Sequence, residues 1–190
     1  MNTPLNLLKK EIKNIETLLL KTKNSNLKNF NKLCLQSLFA IKNKKKIIFF
    51  GNGGSAADAQ HLAAELVVKY RRKRKALPAI SLSTDSSVIT SIANDFDFKY
   101  IFSRQIEAIG NKGDIAIAIT TSGNSNNLIE GIKVANKKKL ITFCFSGNGG
   151  GKIKKFAKYP ILIPSKITSQ IQVIEILIGQ VFCEYLELNF

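Results

Sequence analysis

His61 and Glu65 are the residues of this chain best placed to do chemistry. They stand four apart in the run GNGGSAADAQHLAAEL, Gly51 to Leu66, and His61 is the only histidine of 190 residues. On a helix that spacing puts both side chains on one face. Three roles are open to the pair. A histidine packed in a helix interface needs no chemistry at all. His and Glu one turn apart can share a metal ion. Glu65 could also serve as a general base, since partial burial favours a carboxylate that takes a proton from carbon.

A second set of polar residues follows at Thr120-Thr121-Ser122-Gly123-Asn124-Ser125. Hydroxyls beside helix N-terminal amides hold a phosphate without Lys or Arg. The same residues also make an ordinary N-cap turn. A third set, Gln172, Glu175 and Gln180, interrupts an apolar helical pattern near the C-terminus. These either complete the site or form the solvent edge of that helix.

Elements that would position these residues are legible along the chain. Ile47 to Phe50 reads as a buried strand, Gly51 to Ser55 as a glycine-rich turn, and the stretch from Ala56 to about Lys69 as a helix. A helix entered from such a turn presents free amides and a positive dipole end, so the turn suits an anion. Further strands are expected at Ala79–Ser83, Ile115–Ile119, Leu140–Phe145 and Ile161–Ile163. Helices are expected near 86–93, 100–109, 127–136 and 169–188. This alternation predicts an α/β domain with a mostly parallel five-stranded sheet covered on both faces. Ligands of such sheets bind beyond the carboxyl ends of the strands, where both polar turns fall. Two amphipathic helices precede the core, broken at Asn24-Ser25-Asn26. The division expected is one domain, with helices for subunit packing in 1–45 and the α/β core in 46–190.

Composition narrows the classes. Charges in MNTPLNLLKKEIK stand where a secretory leader needs an apolar core, and no run of about 18 uncharged apolar residues can span a bilayer. Cys34, Cys144 and Cys183 are scattered and unpaired by motif. The expected address is the cytoplasm. The net charge of +16 is spread over nearly every segment. Its one dense run, Lys69 to Lys75, reads as a solvated loop rather than a nucleic-acid contact, because no nucleic-acid motif accompanies it.

Three stretches together resemble a known family. GNGGSAADAQHLAAEL, then ANDFDFKYIFSRQIEAIGNKGD (Ala93 to Asp114), then TTSGNSNN (Thr120 to Asn127) are similar to the phosphoheptose isomerases of the sugar isomerase (SIS) group. The resemblance implies conversion of sedoheptulose 7-phosphate to D-glycero-D-manno-heptose 7-phosphate through an enediol, for surface-glycan heptoses such as those of lipopolysaccharide. It implies a homotetramer with active sites shared between subunits. Carried over by position, Asn52, Gly53, Gly54, Asn94, Asp95 and Gln172 contact the sugar. Thr120, Thr121, Ser122 and Ser125 hold its phosphate. Glu65 moves the proton between C1 and C2. In zinc-binding members His61, Glu65 and Gln172 are ligands to one zinc per subunit.

One segment departs from the family pattern. Where the last helix of the family carries an acid and two histidines, this chain has Val173, Glu175 and Gln180. A glutamine amide is a weak zinc ligand and no proton-transfer acid near neutral pH. Two readings follow. One is the isomerase. The other is a non-catalytic SIS protein that binds a sugar phosphate or a protein partner such as a replication initiator. Retention of Glu65 favours the first, and the missing second histidine favours the second.

Overall fold

The computed structural model describes residues 3–23 and 27–190; the break expected at residues 24–26 lies outside them. Five strands form the sheet: β1 (Ile47–Gly51), β2 (Ala79–Ser81), β3 (Ile115–Thr120), β4 (Ile141–Ser146) and β5 (Tyr159–Leu162). The helices are α1 (Pro4–Lys23), α2 (Leu27–Lys42), α3 (Gly54–Val67), α4 (Ser86–Asp95), α5 (Ser103–Ile109), α6 (Asn126–Lys137) and α7 (Thr168–Asn189). All neighbouring strands run parallel, in the order β2-β1-β3-β4-β5.

The strands are apolar at nearly every position because both faces are covered. In β1 and β3 every residue is buried. Side chains alternate between faces. Ile47, Phe49, Ile115, Ile117 and Phe143 join Leu62, Leu66, Phe182 and Leu186 in one core. Ile48, Phe50, Ala116, Ala118 and Cys144 join Ile106, Leu128 and Ile132 in another. Phe49 and Phe50 thus anchor β1 from opposite sides. Each such burial contributes about 1.5–3 kcal/mol, so the end of β1, and the turn beyond it, is held firmly.

Several boundaries lie one to three residues from expectation, and for two of them hydrogen bonds give the reason. β2 stops at Ser81 because hydroxyls turn the chain. Ser83 Oγ donates to the Gly51 carbonyl at 3.0 Å, and Thr84 Oγ1 donates to that of Ser81 at 3.1 Å. The helix expected from about residue 100 begins at Ser103, after a 3-10 turn over Phe98–Tyr100. Asp97 holds that turn by accepting from the Lys99 amide at 2.7 Å.

Apolar side chains remain outside the two cores. Leu5, Leu8, Ile12 and Leu20 of α1, Leu35 and Phe39 of α2, and Val173, Leu177 and Val181 of α7 are all exposed. The α7 set repeats every four residues, a stripe along one side. Between α1, α2 and α7 runs an apolar groove of about 250 Å³, lined by Leu19, Phe30, Ile174 and Leu177 among others.

Candidate active site

The strand order reverses between β1 and β3, since β2 lies on one side of that pair and β4 and β5 on the other. At such a switch point the loops after the two strands diverge and leave a crevice. Here those loops are Asn52-Gly53, leading into α3, and Thr121 to Ser125, leading into α6. The crevice is a polar cleft of about 220 Å³ lined by Asn52, Gly54, Ser55, Thr120, Thr121, Ser122, Ser125, Thr168 and Gln172, with Ile119 and Leu128 at its floor. Seven expected residues therefore converge: Asn52, Gly54, Thr120, Thr121, Ser122, Ser125 and Gln172.

Each loop has its own bracing. Gly53 caps α3 with φ of 55°, a left-handed backbone that glycine adopts at little cost. At Gly54 the chain comes close to α7, for a Cβ there would run into the Gln172 amide. Asn52 and Asn127 pair through their side-chain amides, donating to each other at 3.0 and 2.8 Å. The hydroxyl of Thr120 accepts from the Gly123 amide at 3.2 Å. From behind, Gly147 donates to the Thr121 carbonyl at 3.2 Å and Ile153 to that of Gly123 at 2.9 Å. Ser125 is the N-cap of α6, but its side chain bonds to no helix amide. The Leu128 amide donates to Asn127 Oδ1 at 2.9 Å, which leaves the amides of Asn126 and Asn127 and the Ser125 hydroxyl unpaired at the start of α6, an arrangement that accepts a phosphate.

His61 and Glu65 do share a face of α3. His61 Nε2 lies 2.9 Å from Glu65 Oε1. Neither lines the cleft; the His61 side chain is 45% exposed and that of Glu65 22%. Asn94 and Asp95, at the end of α4, are exposed and joined to each other at 2.8 Å. Gly53 stands exposed at the rim. One chain thus brings together the hydroxyl loop, Asn52, Gly54 and Gln172, while the His61–Glu65 pair lies outside the cleft.

Sequence reasoning passed over several residues of the site. Ser55 and Thr168 line the cleft; the first sits inside the glycine-rich turn, and the second opens α7. Asn127 follows the hydroxyl loop directly and is nearly fully buried. Glu175 is not at a solvent edge. It is 1% exposed, and neither of its carboxyl oxygens has a hydrogen-bond partner of good geometry. Burial, and then the neighbouring carboxyl of Asp58, push its pKa up to about 8, against a weak opposing pull from the Thr120 amide. Burial also raises Asp58, with His61 acting the other way.

Zinc asks for three or four good protein donors. Among the described residues no three His, Cys, Asp or Glu side chains gather as a metal site. The thiols are buried, and burial pushes Cys34 and Cys144 up to about 12 and raises Cys183 as well. His61 and Glu65 are strong donors, and Gln172 adds only an amide. Gln180 is half-buried and absent from the cleft lining. The side chains of one chain therefore do not fit a complete zinc centre.

Fold and cleft together define a doubly wound α/β domain with a polar crevice at its switch point, and residues 9–147 match the SIS domain family. The chain is 50% identical to the phosphoheptose isomerase of Aquifex aeolicus over 148 residues, 78% of each chain. It is 53% identical to that of Paramagnetospirillum magneticum over 154 residues, 81% of this chain and 79% of the relative. A solved phosphoheptose isomerase structure from Francisella tularensis superposes with a TM-score of 0.94 at 27% identity, covering 98% of this chain and 99% of that one. Another, from Neisseria gonorrhoeae, superposes at 0.90 with 32% identity, covering 97% and 99%. The chain belongs to the phosphoheptose isomerase family.

Proposed function

We propose that this protein is a ketose–aldose isomerase that converts sedoheptulose 7-phosphate to D-glycero-D-manno-heptose 7-phosphate, for surface-glycan heptoses. The observation that carries the reading is the cleft at the β1–β3 switch point, with its hydroxyl loop and open α6 amides, in a chain half-identical to isomerases of this name. Thr121, Ser122, Ser125 and the α6 amides take the phosphate, with Thr120 bracing their loop. Asn52, Gly53, Gly54 and Gln172 face the sugar. Gripping the remote phosphate fixes the reacting carbons relative to the base.

The reaction then needs one base that reaches two carbons. Glu65 takes a proton from C1 of the open-chain ketose, and the C1–H electrons form the C1–C2 double bond of an enediol. Glu65 returns a proton to C2. Meanwhile the C1 hydroxyl proton leaves and the C2 oxygen gains one, so C1 becomes the aldehyde. Gln180 cannot transfer that proton; water carries it. No step passes through zinc, for which His61, Glu65 and Gln172 remain the best available donors.

Because Glu65 does not line the cleft, we infer that the site is completed between subunits of a homotetramer, with Asn94 and Asp95 approaching the same substrate. The exposed apolar stripes on α1 and α7 support the assembly, since contiguous exposed apolar surface marks an interface. No described helix is long and apolar enough to cross a membrane; cytoplasmic residence is part of the proposal.

The test is direct. Purified protein is incubated with sedoheptulose 7-phosphate and the aldose followed by NMR. Formation of the heptose 7-phosphate is expected. Tight binding without turnover would instead establish the second reading, a sugar-phosphate or partner-binding SIS protein, which the glutamine at 180 favours.

A further inference from the structure

The basic run Lys69 to Lys75 has a use inside the molecule. Glu187, near the end of α7, has a side chain only 2% exposed. Its Oε1 accepts from the Tyr70 amide at 2.8 Å, and its Oε2 from the amides of Arg71 and Arg72 at 2.8 and 2.9 Å. Burial works to raise the Glu187 pKa, but these amides and Arg74 outweigh it and hold the group below the ordinary glutamate value. Arg74 is the other half of the arrangement. Its side chain is 9% exposed, and its Nε lies 3.3 Å from Glu187 Oε1. One guanidinium nitrogen donates to the Leu66 carbonyl at 2.7 Å, and the other donates to the carbonyl of Glu65 at 2.7 Å.

The last carbonyls of a helix have no partner within it, and α3 ends at Val67. Arg74 supplies partners for two of them. The planar guanidinium holds both carbonyls in one fixed geometry, which a single ammonium cannot do, while the Glu187 carboxylate lies against its Nε as an ion pair without a hydrogen bond of good geometry. We propose that Arg74, locked by Glu187, is a positioning residue that fixes the final turn of α3 and with it the carboxylate of Glu65. The inference rests on the isomerase reading, in which Glu65 is the base. Proton transfer between two carbons tolerates little misplacement of that base. Substrate binding, by contrast, lies mainly with the cleft loops, which Arg74 does not touch. A loosened clasp should therefore damage turnover and spare binding.

Arg74→Lys keeps the charge opposite Glu187 and removes the fork. Steady-state kinetics with sedoheptulose 7-phosphate, taken well below the melting temperature of the variant, are expected to show kcat lowered by roughly ten- to a hundred-fold and KM changed little. Hydrogen exchange at amides 66–69 is expected to quicken. Where Arg74→Lys does not fold, Glu187→Gln is expected to show the same division to a smaller degree. A folded variant with undiminished kcat, or one that raises KM alone, overturns the inference while leaving the isomerase reading intact. An inert wild-type protein, by contrast, would strike the isomerase reading itself.

Discussion

Asn52 and Asn127 form a closed pair of amide hydrogen bonds, 3.0 and 2.8 Å long, that ties the turn after β1 to the first turn of α6. Asn127 Oδ1 also accepts from the Leu128 amide at 2.9 Å. The pair fixes the two lips of the cleft at one spacing. Asn127→Ala leaves the Asn52 amide without its partner. A loss of about 1–3 kcal/mol is expected, the usual cost of an unsatisfied polar group. A KM for the sugar phosphate raised by roughly ten-fold is also expected, since the hydroxyl loop and the turn after β1 lose their register. Denaturant melts and steady-state kinetics check both, and an unchanged KM would show that the pair does not set the cleft.

Glu175 makes stability depend on pH. An unfolded glutamate ionises near 4.5, whereas burial and Asp58 hold Glu175 in the folded protein at about 8. Between those values the folded state keeps a proton that the unfolded chain has lost. This contribution to stability therefore falls as pH climbs from about 4.5 to about 8, and levels off above. Glu175→Gln removes the need to ionise. Its melting temperature is expected to match wild type near pH 5 and to exceed it near pH 8.5. Thermal melts across that range decide; a variant less stable at the alkaline end contradicts the assignment.

Metal content follows from the donors present. Wild-type protein purified without chelator is expected to hold well under one zinc per chain. Gln180→His restores an imidazole and is expected to raise that content. Elemental analysis of both proteins is the check. Stoichiometric zinc in wild type would mean that His61, Glu65 and Gln172 suffice with donors from a neighbouring subunit.

Sharing of the site between subunits predicts complementation. Glu65→Gln chains and Gln172→Ala chains, each nearly inactive alone, are unfolded, mixed and refolded together. Mixed oligomers would contain some sites with both native residues, so part of the activity returns. No recovery in a mixture shown by mass to contain hybrids would place Glu65 and the cleft in one subunit.

The parts of this protein that were legible in its sequence are those with local causes. The apolar runs of β1 and β3, the glycines after β1 and the hydroxyls after β3 each announce themselves within a few neighbours, and their alternation yields the parallel sheet. Glu175 was harder. Its polar character suggested a solvent edge, and only the packing of α7 against α3 and the strand ends shows it buried beside Asp58. Arg74 and Glu187 stand over a hundred residues apart, so their contact leaves no local pattern, and the run around Arg74 looks like any solvated cluster of charge. Asn127 was in view but read only as the start of a helix, because a reciprocal amide pair needs both partners placed in space.

The proposed reaction depends on Glu65 as the base. The measurement that tests it most directly is turnover of sedoheptulose 7-phosphate by wild type and Glu65→Gln side by side, with binding of the sugar phosphate measured on both. The account predicts aldose from wild type, a kcat at least about a hundred-fold lower in the variant, and similar affinity in the two. An inactive wild type, or a variant that turns over at the wild-type rate, would contradict it.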